Sequence, residues 1–129
     1  MKNITLLGSA VLALLAFPAL GSPIQEKGEV SYKNDVYPII HDYCLSCHQP
    51  GGKGYEKNGL DMRTYQSLMK GTKFGSVIKP GDSFTSIIIQ AVEGRVHASI
   101  KMPYGMSGGL ARDKIEILKK WVDLGAQDN

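Results

Sequence analysis

The chain has 129 residues, 43% of them hydrophobic and 21% charged, which suits one compact domain and excludes both two independent cores and wholesale disorder. Its 15 Lys and Arg against 12 Asp and Glu leave a formal charge of +3 with no block of five like charges, so a nucleic-acid-binding arm is excluded. Two cysteines are too few for a disulfide-dense scaffold.

Residues 1–21 read as a signal peptide. Met1 and Lys2 open it, an apolar stretch follows from Val11 to Phe17, Pro18 breaks that stretch, and the small residues Ala19 and Gly21 suit cleavage after Gly21. The alternative is a retained membrane anchor, but Gly8, Ser9 and Pro18 interrupt a run barely long enough to span. A lipid anchor at the cleavage point needs a cysteine, and Ser22 stands there. The mature chain is therefore expected to be soluble and periplasmic or otherwise exported. Residues 22–34 are expected to form a flexible leader, polar and aperiodic over Ser22 to Ser31, with the folded domain at 35–129. A domain of about a hundred residues that holds most of 15 glycines needs something besides side-chain packing to fill its core.

Val36, Ile39, Ile40, Tyr43 and Cys47 fall on one face of a first helix with Asp35 as its N-cap and Pro38 in its first turn. The glycine-rich run Gln49 to Gly59 predicts a loop. Arg63 to Met69 predicts a short helix closed by Gly71. Asp82 and Ser83 can cap a further helix with Phe84, Ile87, Ile88, Ala91 and Val92 on one face, ended by Gly94, although the β-branched run Ile87 to Ile89 leaves a strand as the alternative. From Arg112 to Leu124, Ile115, Leu118, Trp121 and Val122 make one apolar stripe, and Gly125 supplies the stop.

The chemistry is concentrated in Cys44-Leu45-Ser46-Cys47-His48. Two thiols three residues apart can form thioethers with the two vinyl groups of a haem, while the adjacent imidazole of His48 is placed to ligate its iron. Two other readings stand beside haem c. A Cys44–Cys47 redox disulfide lacks its usual βαβ setting, and zinc bound by Cys44, Cys47, His48 and one of His41 or His97 lacks the second separated ligand pair.

A haem held by His48 leaves a sixth position, for which Met62, Met69, Met102, Met106, His41 and His97 are candidates. Met62 and Met69 flank a short helix and suit apolar lining, and His41 lies too near His48 in sequence to reach the opposite face. Met102 stands in Lys101-Met102-Pro103-Tyr104-Gly105, where Pro103 favours extended backbone and the glycine lets the loop fold over a cofactor. Met102 is the expected ligand, with Met106, His97 or an open site as alternatives. A thioether ligand raises the potential and leaves iron no vacancy, the properties of an electron-transfer centre rather than an enzyme.

These residues resemble a small single-haem c-type cytochrome, and in particular the planctomycete-type cytochrome c domain over about Val36 to Ala126. The resemblance is carried by Tyr37-Pro38-Ile39-Ile40, the Cys44 to His48 motif, Gly59-Leu60-Asp61-Met62, Lys79-Pro80-Gly81-Asp82-Ser83, Lys101-Met102-Pro103, and Ile115 to Trp121 with Gly125-Ala126. It implies an all-α cytochrome c-like fold of about four short helices and long loops around one covalently bound haem c. It also implies first and last helices that cross, with Trp121 and Val122 against the first helix, His48 proximal and Met102 distal. Similar domains open the last helix with Ser or Thr, and Ala111 here removes that cap. The expected role is that of an exported monomeric electron carrier meeting redox partner proteins transiently, with Lys53, Lys57, Lys70, Lys73 and Lys101 as a docking rim. A haem subunit of a larger respiratory or dehydrogenase complex is one alternative, and a haem enzyme or sensor with an exchangeable ligand is the other.

Overall fold

The computed structural model describes residues 29–129; the expected signal peptide and the front of the expected leader lie outside the described residues. Ordered chain begins earlier than Asp35. The Ser31 hydroxyl accepts the Asn34 N–H at 3.2 Å, and the Ser31 carbonyl accepts from both Asp35 and Val36 at 2.9 and 3.2 Å. The widened π-helical turn Tyr32–Val36 that results runs straight into α1, Tyr37–Tyr43. A leader reaching residue 34 is thus corrected: Tyr32 is only 6% exposed, because its ring packs with Tyr37, Tyr65 and Trp121.

Val36, Ile39 and Ile40 are buried as their spacing predicts, and Pro38 sits at the second position of α1, directly after the π-helical turn. Cys47 does not share that buried face. It is exposed, because α1 stops at Tyr43 and the chain turns.

The predicted loop Gln49 to Gly59 contains a helix instead, α2, Lys53–Asn58, closed by Gly59 at φ +78°. Helix α3, Tyr65–Lys70, starts two residues later than predicted. Thr64 and Ser67 form a capping box at its N-terminus, and Gly71 follows it. Helix α4, Ile87–Glu93, starts well after Asp82 and Ser83, whose side chains are engaged elsewhere. Asp82 accepts from the Thr85 backbone and hydroxyl, while Ser83 donates its N–H and O–H to the Asp123 carboxylate at 2.8 and 2.9 Å. Phe84 consequently falls outside the helix and is 72% exposed, whereas Ile88, Ile89, Ala91 and Val92 are buried. The strand alternative is excluded for this segment. A 3-10 turn at Ala98–Ile100 leads into the loop of Met102, whose N–H donates to Ala91 O at 3.0 Å.

Helix α5, Arg112–Asp123, matches its prediction, including the missing side-chain cap at Ala111. Its end is a complete Schellman motif: Ala126 N–H donates to Trp121 O and Gly125 N–H to Val122 O, with Gly125 at φ +102°. The buried stripe Leu118, Trp121 and Val122 faces the π-helical turn and α4. The crossing expected of the first and last helices is therefore made mainly by the turn that continues into α1, with Trp121 lying 5.5 Å from the Tyr32 ring centroid. Asn129 closes the ring of contacts. Its carbonyl accepts from Ser31 Oγ at 2.8 Å and Lys33 N at 3.0 Å, and its side-chain oxygen accepts from Tyr32 N at 2.8 Å. Five short α-helices and no strand occur among the described residues, an all-α cytochrome c-like fold with one helix more than the four expected.

Candidate functional site

The motif forms one tight turn at the end of α1. Cys44 donates its N–H to Ile40 O at 2.9 Å, and its own carbonyl accepts from Cys47 N at 3.2 Å and His48 N at 3.0 Å. Both thiols are free, Cys44 half-buried and Cys47 exposed. Burial, reinforced by the neighbouring Cys47, pushes the Cys44 thiol up to about 11, so it stays protonated near neutrality.

His48 is buried, with 5% of its surface exposed. Burial holds its imidazole below the usual histidine range, while the Leu60 backbone acts in the opposite sense. Leu60 does not meet hydrogen-bond geometry, however, and Nδ1 has no partner among the described residues. The main chain of His48 is fixed on both sides, by the bond to Cys44 O and by Met62 N–H, which donates to His48 O at 2.8 Å.

Helix α2 lies directly against this turn. Tyr55 N–H donates to Cys47 O at 2.9 Å, and two glycines permit the approach. A Cβ on Gly52 would stand 2.4 Å from Cys47 O, and one on Gly54 would stand 2.7 Å from His48 Cε1 and 2.9 Å from Nδ1. The glycines that predicted a loop are therefore spacers for a helix packed on the motif, a use of missing side chains that composition does not distinguish from turn formation.

The other candidate ligands separate by position. Met62 is buried in the core and Met69 is half-buried against it. His41 is exposed beside Asp42, and His97 is exposed with Nδ1 2.9 Å from Ser99 Oγ. Met106 is 43% exposed, while Met102 is half-buried and packs on the core. Among the described residues no three His, Cys, Asp or Glu side chains converge as a metal site. A depression of about 320 Å³ beside Lys101, Pro103, Tyr104 and Met106 does not include the motif. A larger one of about 490 Å³, lined by Phe84, Glu93, Arg95 and Lys119, does not include it either.

The residues present fit a covalently held haem: two free thiols three residues apart and, in the same turn, a buried imidazole whose Nδ1 edge is covered by α2, which leaves Nε2 as the nitrogen for iron. Fold and motif together are those of a cytochrome c-like arrangement, all-α with a Cys44-Leu45-Ser46-Cys47-His48 turn. Residues 44–103 match the family model described as Planctomycete cytochrome C, running from the first motif cysteine through Pro103. A domain of that family implies haem c and haem-based electron transfer. No curated protein and no solved structure matches.

Sequence reasoning missed Gly52, Gly54 and the helix that carries them. The available signal was their spacing of two residues so soon after the motif, but a glycine pair has the same appearance in a turn.

Proposed function

We propose that this protein is an exported, diffusible electron carrier whose haem c is attached by Cys44 and Cys47, with His48 and Met102 as the axial ligands. The observation that carries the reading is the burial of the His48 ring within a motif whose two thiols are both free. Haem c, when bound, supplies a one-electron ferric–ferrous couple. Cys44 and Cys47 would hold the group, each thiol adding its S–H across one vinyl group to become a thioether, which would make attachment permanent. His48 contributes a neutral imidazole, because burial disfavours its charged form.

Met102 is supported over its competitors by partial burial against the core, where a soft thioether is shielded from water. Exposed Ile100, Tyr104 and Met106 flank it and offer apolar surface for a porphyrin to cover. Export is supported by the signal-like pattern at residues 1–21, and among the described residues no helix is long and apolar enough to cross a membrane. Lys53, Lys57, Lys70, Lys73 and Lys101 are all exposed, which suits brief encounters with an acidic redox partner.

The test is a visible and near-infrared spectrum of exported protein, oxidised and reduced, from cells competent to mature c-type haem. A reduced spectrum with sharp α and β bands and an oxidised sulfur-to-iron band is expected. Colourless protein overturns the reading, and a coloured protein that binds carbon monoxide at once overturns its axial Met102.

A further inference from the structure

The His48 ring has a neighbour that the electron-carrier reading does not use. Gly54, on α2, has an ordinary helical backbone, so an alanine there meets no conformational penalty. It meets a steric one. Its Cβ would fall 2.7 Å from His48 Cε1, 2.9 Å from Nδ1 and 3.0 Å from Cys47 O, closer than carbon atoms approach without movement.

Neither side can give way readily. His48 is buried and its main chain is bonded to Cys44 and Met62, while α2 is held down by Tyr55 N–H on Cys47 O and by Gly52, whose own Cβ would meet Cys47 O at 2.4 Å. The terminal torsion of histidine is intrinsically broad, so the plane of this ring is set by what packs against it. What packs against the Nδ1–Cε1 edge is the bare backbone of Gly54.

We propose that Gly54 is a positioning residue for His48: by carrying no side chain it lets α2 lie flat on the imidazole and fixes the ring plane presented to iron. The proposal rests on the haem reading above. Orientation of an axial imidazole tunes the electronics of the metal it binds, so a small change at Gly54 should register there although this residue makes no bond to the cofactor.

The experiment compares haem-loaded wild type, Gly54→Ala and Gly108→Ala, the last a position with ordinary φ where a Cβ meets nothing within 4 Å. Electron paramagnetic resonance of the oxidised proteins reads ring orientation through the largest g value, and redox titration reads the potential. Gly54→Ala should shift both while Gly108→Ala superimposes on wild type. A fully loaded Gly54→Ala protein with unchanged g values, and with the gain in denaturant midpoint expected of alanine in a helix, overturns the proposal.

Should Gly54→Ala accumulate without haem, protease resistance of His48→Ala is compared with that of His48→Ala carrying Gly54→Ala. No added loss places the clash on the ring and supports the proposal; an added loss places it on the Cys47 backbone and overturns it. Wild type that matures without haem overturns both readings, whereas loaded wild type with an indifferent Gly54→Ala overturns this one alone.

Discussion

Met102 and Met106 are four residues apart in one loop yet differ in surroundings: the first is packed on the core and its N–H is bonded to Ala91 O, the second is 43% exposed. Met102→Ala should lower the potential and make the reduced protein bind carbon monoxide, and Met106→Ala should do neither; titration of the two variants side by side checks this. Tyr32 poses a different question. Its ring is buried among aromatic neighbours, its hydroxyl has no partner among the described residues, and burial followed by Tyr37 pushes its ionisation up to about 12. An unpaired buried hydroxyl costs about 1–3 kcal/mol, so Tyr32→Phe should stabilise the fold by about 1 kcal/mol in denaturant unfolding.

At the scale of the element, α5 has a well-made end and an unmade beginning. The Schellman motif satisfies the last carbonyls, but Ala111, with extended backbone suited to a cap, offers no side-chain acceptor to the first N–H groups. Ala111→Ser should add about 1 kcal/mol to unfolding stability, with spectra unchanged. Helix α5 was the most legible element because a 12-residue apolar stripe repeats often enough to fix its period. The shorter elements were less so. Ser83 and Asp82 have the chemistry of N-caps but spend it on Asp123 and on Thr85, so α4 starts later than its cap-like residues suggest. The Cys44 to His48 motif was legible because covalent chemistry imposes its spacing. The Gly54–His48 contact was not, since it depends on how α2 lies against the motif turn, and no local pattern records that.

The whole molecule is drawn together around α5. Gly81 N–H donates to Val122 O, Ser83 binds Asp123, Tyr65 Oη donates to Ala126 O, and Trp121 Nε1 donates to Gln127 O. Glu93 joins α4 to α5: burial opposes its ionisation, but Arg95 and Lys119 more than offset that and hold its carboxyl below the usual range. In the segment from Lys79 to Ser86, bonds from the Thr85 side chain and backbone, aided by Lys79, bring the Asp82 carboxyl down to about 2. A depressed carboxylate stabilises the fold above its unfolded value near 4, and that contribution fades as pH falls toward 2. Asp82→Ala should therefore be less stable than wild type above about pH 4, and the gap should close as pH falls toward about 2, as acid-dependent denaturant melts can show.

The hydrogen bonds between Asn129 and the segment from Val30 to Lys33 bring residues nearly a hundred positions apart to a single corner. Truncating Asn129 to glycine would leave the Tyr32 N–H without its side-chain acceptor, and so would loosen the aromatic cluster from an edge that lies far from the cysteines.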